Sequence, residues 1–524
     1  MKSILQLSIS LSIIFNLLSC TPDKERIPDT YFDPVAGLYD STLMPFYHGV
    51  ASGDPLPDRV VIWTRVTPKE ISETIKVKWE IAEDPNFNSI YKSDTLSTSI
   101  KKDYTVKVDV DALEPDRVYY YRFNALGKNS ITGRTKTTPV SQIDSLQFAV
   151  VSCSNWEWGY FNAYDKIADR SVLDAVIHLG DYIYEYAVGK YGDTTIGRFN
   201  LPAHEIVTLQ DYRTRYSQYH TDKGLRRARQ QHPFITIWDD HEVANNSYVS
   251  GAQNHQPEEG EYETRKKAAR QAYYEWIPIR ENRDLYRSIS FGSLADLIML
   301  DERLAGRSKP ADSLTAPDYN DENRSMLGDA QLQWFENELS NSKATWRLIG
   351  NQVIFSDMLL SEVIPSMPRN LDAWDGYPVE KASIKNHIES KRIQNIVFLT
   401  GDTHASWAIE VATDIYNTYD PATSRGAFAV EFGTPSISAA NSNERKSDSE
   451  VMESEKKLLQ YNPHVKYTNN RDHGYVLLTL NNESATGQWY YVETLRKEGS
   501  EEYLGKEFSV QKGSNTIKSI SSDF

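Results

Sequence analysis

The sequence predicts a layered α/β domain, its sheet covered on both faces, preceded by a small β-sandwich. Two changes of pattern carry this reading. Between residues 46 and 139 short alternating strands are separated by turns, and after Gln142 apolar strands alternate with amphipathic helices. The 524 residues, 40% hydrophobic and 25% charged, can bury a substantial core, which excludes intrinsic disorder and coiled coil. A net charge of −16 argues against specific nucleic-acid binding, because a phosphate backbone needs a basic face. Only two cysteines occur, Cys20 and Cys153, too few for a disulfide-stapled scaffold.

The first element is an export signal. Met1-Lys2 precedes an apolar stretch from Ile4 to Leu18, and no other apolar run is longer than a strand. Leu17-Leu18-Ser19-Cys20 resembles a bacterial lipobox, which implies a signal over residues 1–19 cut before Cys20, with lipid on the Cys20 thiol. Polar residues over 20–45 are expected to form a tether. The protein is therefore expected as an exported lipoprotein on the periplasmic or cell-surface face of a bacterial membrane.

Residues 46–139 carry strand patterns at Val60–Thr64, Lys76–Ile81, Tyr104–Val108 and Tyr119–Phe123. Leu113-Glu114-Pro115 before the last of these is like the corner of fibronectin and immunoglobulin-like domains, where a tyrosine ties the strand to the upstream turn.

Residues 140–495 form the α/β part. Phe148–Val151 runs into Ser152-Cys153-Ser154, Ala175–Leu179 into Gly180-Asp181-Tyr182-Ile183-Tyr184, and Phe234–Trp238 into Asp239-Asp240-His241-Glu242. Leu297–Leu300 meets Asp301-Glu302-Arg303, Trp346–Ile349 meets Gly350-Asn351-Gln352, and Ile396–Leu399 meets Thr400-Gly401-Asp402-Thr403-His404. Ligands of open α/β sheets bind at the carboxyl ends of strands, so these endings predict one shared crevice. The polar segment from Tyr186 to Tyr274, with helical patches at Gln210–Tyr219 and Tyr262–Trp276, reads as insertions around it. Residues 496–524, rich in Ser, Lys and Gly, are expected to be a tail.

A lone Gly-Asp at a strand end is ordinary turn chemistry, but the set is different. Asp181 and Tyr184 are three apart on a strand-to-helix turn, and Asp402 and His404 are two apart, so each pair can aim into one pocket. Asp240 and His241 add a carboxylate and an imidazole, and Cys153 a thiol. Such a set suits a dinuclear centre, an Fe(III)-like ion on the thiolate and phenolate side and a hard divalent ion on the carboxylate side.

The segments His48–Pro55, Val61–Arg65, Ser152–Ser154, His178–Glu185, Trp238–Val243 with Asn245-Asn246, and Thr400–His404 resemble the alkaline phosphatase D (PhoD-type) metallophosphatases, and more distantly the purple acid phosphatases. The resemblance spans residues 46 to 435 and implies a two-sheet, four-layer, calcineurin-like metallophosphatase domain behind a fibronectin or immunoglobulin-like sandwich. It implies iron, Fe(3+), on Cys153, Asp181, Tyr184 and His404. Asp181 would bridge to a second metal, Ca(2+) or another divalent ion, held also by Asp240, Asp402 and Asn351. His241 is then expected to contact phosphoryl oxygens or protonate the leaving oxygen. Arg303 is expected to clamp phosphate through its planar fork, with pairing to Glu302 or Asp301 as the alternative.

The expected activity is metal-dependent hydrolysis of phosphate esters, by in-line attack of metal-bound hydroxide on a small-molecule substrate. No Gly-x-Ser-x-Gly elbow offers a serine nucleophile instead. A phospholipase-type phosphodiesterase is the alternative, and a non-catalytic surface binding protein a more remote one. Relatives often export through a twin-arginine signal, whereas only Lys2 precedes the apolar run here, so metal loading is expected after export. The chain is expected to be a monomer, held to its membrane through the lipid.

Overall fold

The computed structural model describes residues 33–281 and 284–520, so the export signal, Cys20 and the start of the tether lie outside the described residues. Two mixed sheets dominate the architecture. In the larger, Ser145–Val151, Ala175–His178, Pro233–Thr236 and Val50–Leu56 run parallel in that order at the centre of ten strands. In the second, of seven strands, Ala295–Met299, Trp346–Asn351, Ile396–Thr400 and Ala427–Gly433 form a parallel centre with antiparallel strands outside it.

The near-continuous apolar sequence of these central strands follows from burial of both their faces. Phe148 points toward the second sheet, its ring 5.0 Å from Phe291, while Phe234 and His178 face Tyr164 of the helix Asn162–Ala168 on the opposite side. In the second sheet Leu297, Leu348 and Val397 join the core between the sheets. Ile298, Ile349 and Phe398 instead pack with Phe335, Leu339, Ile384 and Ile388 of the helices Asp329–Asn341 and Pro378–Lys391. Helices thus close both outer faces, giving four layers. The expected strands are all present, and the patches at Gln210–Tyr219 and Tyr262–Trp276 are the helices Leu209–Tyr219 and Tyr262–Trp276.

The parallel centres of both sheets end in the same place. A parallel bridge between Ser152 and Ser436, just past the strands Ser145–Val151 and Ala427–Gly433, ties the sheets together there.

The amino-terminal part differs from an independent sandwich in one respect. Ile75–Ala82, Ile90–Thr98, Val118–Ala125 and two short strands form a separate small sheet, whose core is shared with Val60, Ile62, Val106 and Val110. Those four sit on Arg59–Arg65 and Thr105–Val110, which continue the ten-stranded sheet through Val50–Leu56. One layer of the sandwich therefore belongs to the large sheet, and Asp54, accepting from Arg287 and the Arg280 backbone, fastens the junction. The tyrosine corner is present, with the Glu114 amide donating to the Tyr119 hydroxyl at 2.9 Å.

Two expected boundaries are corrected. The part expected as a tail over 496–524 is, up to residue 520, built into the fold: Glu502–Gln511 and Ile517–Ser519 extend the large sheet at its edge, with Phe508, Val510 and Ile517 buried, and residues 521–524 lie outside the described residues. An edge strand needs apolar residues on one face only, too few to stand out in a polar sequence. The tether is packed from Asp33 onward, where Arg65 donates to the Asp33 carboxylate at 3.0 Å and Val35 is buried. Among the described residues no helix is long and apolar enough to cross a membrane.

Candidate active site

Cys153, Asp181, Asp240, Asp402 and His404 all stand on turns that follow central strands, from both sheets. Cys153, Asp181, Asp402 and His404 hold the left-handed backbone conformation, with φ of 61°, 56°, 59° and 54°. For a residue with a Cβ this costs about 1–3 kcal/mol, and such strain collects where side chains must be aimed. Gly180, at φ 107°, lies where a Cβ would meet the Asp239 backbone nitrogen at 2.4 Å, so the turn before Asp181 requires glycine.

These turns bring donor atoms together in three overlapping groups, each within 4.8 Å: Cys153 with Asp181 and His404, Asp181 with Asp240 and His241, and Asp239 with Asp240 and Asp402. Asp181 belongs to the first two groups and Asp240 to the last two. Tyr184 joins the first, its hydroxyl donating to Asp181 Oδ2 at 2.9 Å and lying 3.0 Å from His404 Nε2. His404 Nδ1 donates to the Ala440 carbonyl at 2.8 Å, which fixes the ring and turns the Nε2 lone pair toward the group. A cavity of about 350 Å³ opens on these residues, lined also by Tyr186, Lys190, Tyr191, Asn245 and Asn246.

Buried carboxylates hold the turns. Glu242 accepts from the backbone amides of Asp181 at 3.1 Å, Tyr182 at 2.7 Å and Asp239 at 2.9 Å, pinning two loops to each other. Glu185 accepts from His241 Nδ1 at 2.7 Å and from the Asn245 amide at 2.8 Å, leaving His241 Nε2 toward Asp240, 4.0 Å away. On the second sheet Glu431 accepts from the amides of Phe355 and Ser356 and from the Thr400 hydroxyl.

The charge balance shows what is missing from the protein's own atoms. Asp181, Asp239 and Asp240 are buried beside the half-buried Asp402, and the fully buried Arg303 pairs with Asp239, Asp240, Asp372 and Asp402. Burial and neighbouring carboxylates raise Asp239 to about 8 and Asp402 to about 7, against the pull of Arg303. Burial also pushes Asp240 up, but Arg303 and His241 outweigh it and hold that carboxyl below the usual range. Burial, then Asp181, keeps the Cys153 thiol and the Tyr184 phenol protonated, while burial lowers His404 to about 4 and keeps its imidazole neutral. Asp239 Oδ2 and Asp240 Oδ1 are buried without a hydrogen-bond partner. A thiol, a phenol, a neutral imidazole and orphaned carboxylate oxygens facing one space are a donor set that metal cations fit.

The structure gathers Cys153, Asp181, Tyr184, Asp240, His241, Asp402 and His404, and corrects two further expectations. Asn351 is not turned to the cluster: its Oδ1 accepts from Trp374 Nε1 at 3.0 Å, and its amide donates to the Thr400 hydroxyl and the Val353 carbonyl. It finishes a strand and locks the next one. Arg303 is neither a free phosphate clamp nor paired on the surface, because its guanidinium is enclosed by carboxylates from three other segments. Sequence patterns missed Tyr191, whose hydroxyl donates to the Ala440 carbonyl at 2.5 Å and lies 3.1 Å from His404 Nδ1, and the exposed Lys190 beside it. Both lie in a polar insertion without motif spacing. Glu185 and Glu242 could have been found as buried-strand neighbours of the motif residues.

Comparison with known proteins places the chain. The sequence profile described as PhoD-like phosphatase matches residues 148–489, and that of the PhoD-like phosphatase N-terminal domain matches residues 36–139. Alkaline phosphatase D of Bacillus subtilis (strain 168) is 36% identical over 506 residues, covering 91% of this chain and 83% of that protein. A solved structure of PhoD superposes with a TM-score of 0.83 at 35% identity, covering 92% of this chain and 93% of the other. The chain belongs to the PhoD-like phosphatase family and is a phosphoesterase hydrolase.

Proposed function

We propose that this PhoD-like phosphatase is a metal-dependent phosphate-ester hydrolase with a calcineurin-like two-sheet core and a fibronectin-like amino-terminal layer, exported and lipid-anchored through Cys20. The single observation that carries the catalytic reading is the convergence of Cys153, Asp181, Tyr184, Asp240, Asp402 and His404 at the ends of strands from both sheets. Cys153, Asp181, Tyr184 and His404 would hold one cation, iron by preference, since a thiolate and a phenolate favour it. Asp181, Asp240 and Asp402 would hold the second, a hard ion such as calcium. When bound, the pair supplies positive charge that makes water more acidic and stabilises the oxygens on phosphorus.

The chain's own residues do the rest. Lys190 and the Asn245 and Asn246 side chains, lining the cleft, receive phosphoryl oxygens. Hydrolysis forms a bond from a water oxygen to phosphorus and breaks the bond to the ester oxygen, which must gain a proton as it leaves. His241 supplies it: Asp240, Glu185 and Asp181 outweigh the effect of burial and hold the imidazole well above its ordinary value, and Glu185 occupies Nδ1 so that Nε2 faces the cleft. Arg303 keeps Asp239, Asp372 and Asp402 from repelling one another.

The test is to purify the protein lacking residues 1–20, measure its bound metals by mass spectrometry and its visible spectrum, and assay 4-nitrophenyl phosphate beside bis(4-nitrophenyl) phosphate. Iron, with an absorption band and activity lost together in Tyr184→Phe, supports the reading, and the ratio of the two rates selects monoester or diester. No bound metal, and no hydrolysis after iron and calcium are added, would refute it. Membrane fractionation of a Cys20→Ser variant tests the anchor, which predicts release into the soluble fraction. The phospholipase-type alternative is favoured by one observation, an apolar cavity beside the cleft.

A further inference from the structure

Asp402 and His404 have two open sides. One faces the acidic cleft. The other faces a second cavity of about 550 Å³, larger than the first, and Tyr191, Asp402 and His404 line both. Its walls are built mostly from apolar side chains: Met358, Leu360, Ile364 and Met367 from the loop after Trp346–Asn351, Trp407 after His404, and Leu458 on the helix Asp448–Tyr461. Met358, Trp407 and Leu458 are buried in one small cluster, whereas Leu360, Ile364 and Met367 are half-buried and face the opening.

From this juxtaposition we propose that the cavity is the subsite for the alcohol part of the ester, and that the preferred substrates carry a single alkyl chain on phosphate. The inference rests on the cleft being the hydrolytic site, and adds what the cleft selects.

Three observations carry it. First, because Asp402 and His404 border both spaces, a phosphate held in the cleft places its ester group at the mouth of the cavity. Second, most of the lining surface is apolar, and two of its polar groups are already engaged: Asp375 is bound to Lys381 at 2.8 Å and to Arg369 at 3.0 Å, and the Trp407 indole donates to Thr403, while the buried Asn443 Oδ1 and the exposed Lys446 are among the groups left to meet a polar end. A sugar, with a hydroxyl on nearly every carbon, would set several of them against the apolar wall without partners, which disfavours it relative to an alkyl chain. Third, the volume lies within the range of roughly 300–1,000 Å³ typical of small-ligand sites, and two unbranched thioethers, Met358 and Met367, adapt to a flexible chain better than branched residues would. Hydrolysis then joins a water oxygen to phosphorus and releases the alkyl alcohol with its proton, with no further reactant.

The experiment uses the metal-loaded protein with methyl, butyl and octyl phosphate, or their methyl diesters if the aryl assay favours diesters, below micellar concentrations, following release of the alcohol. The kcat/KM is expected to rise at least about tenfold from methyl to octyl, the limit for complete burial being roughly fourfold per methylene. Ile364→Asp and Met367→Asp, at half-buried positions, each set a carboxylate in the opening and should bring the octyl-to-methyl ratio toward one while the thermal midpoint shows a folded protein. A ratio near one in the unaltered protein, or a ratio that survives both substitutions, overturns the proposal. So does hydrolysis of aryl esters without any of the alkyl series. Failure with aryl and alkyl esters alike instead removes the hydrolytic reading beneath it.

Discussion

The two cavities that meet at Asp402 and His404 are built by opposite means. The acidic cleft crowds like charges into little space, so burial raises Asp239 and Asp402 and leaves carboxylate oxygens unpaired. The apolar cavity beside it holds more space, and Asp375 in its lining is paired with Lys381 and Arg369. The cleft is held rigid by backbone amides bound to Glu242 and Glu185, while the cavity wall is a loop closed by its own turns, with Leu360 accepting from Val363 and Ile364. Reactivity needs charges fixed before the substrate arrives, and selection of an apolar group needs only volume that water leaves readily.

The largest expected effect separates the two outright. Asp181→Asn removes a carboxylate shared by two of the donor groups, and should lower kcat by about 10³-fold or more for every ester, whatever its alcohol, because the charge stabilising the reaction is lost. Metal content measured beside the rate would show the cause. Retained activity with long-chain esters alone would break the division of labour.

His241→Gln should lower kcat by about 10²–10⁴-fold, and less for an ester of a phenol with a low pKa than for an alkyl ester, since a good leaving group needs little protonation. Equal losses for both would remove the acid role. Glu185→Gln, which touches the cleft through His241 and the Asn245 amide, should cost about 10–100-fold in activity and shift its pH profile toward acid, the partner carboxylate no longer favouring the imidazolium. A pH profile that stays put would make Glu185 a structural residue only.

The smallest effect on activity comes from histidines outside the linings of both cavities. His232 donates to the Ile167 carbonyl and His464 to that of Asp357, and burial lowers both imidazoles to about 4. Above pH 6.5 neither state is protonated and the contribution is constant. Below it the unfolded chain binds protons that the native one refuses, so each histidine removes up to about 3 kcal/mol of stability between pH 6.5 and 4. Denaturant unfolding across that window checks this. His232→Gln should make the acid side of the stability curve shallower without altering the ester preference.

How much was legible beforehand differs between the same two regions. The cleft was readable because its residues follow apolar strands at fixed short spacing: Asp181 and Tyr184 after one strand, Asp402 and His404 after another. Strand ends in an α/β fold converge whatever the intervening sequence, so local pattern sufficed. The apolar cavity left no trace, because Leu360, Ile364, Met367 and Leu458 come from a loop and a distant helix whose apolar residues look like ordinary core.

The sequence by itself determined the change from alternating strands to strand-helix units, the central strands, the tyrosine corner at Tyr119 and the principal donor residues. Each of these is local, fixed by side-chain period, turn chemistry or short spacing. Tertiary structure alone decided that the sandwich shares a layer with the large sheet, that Glu502–Gln511 completes its edge, that Asn351 turns to Trp374, and that Arg303 is enclosed by Asp239, Asp372 and Asp402. These depend on which segments meet, from Val492 with Glu502, 10 residues apart, to Ser52 with Pro233, 181 apart, a choice made by the whole core as it buries its surface and not by any one stretch.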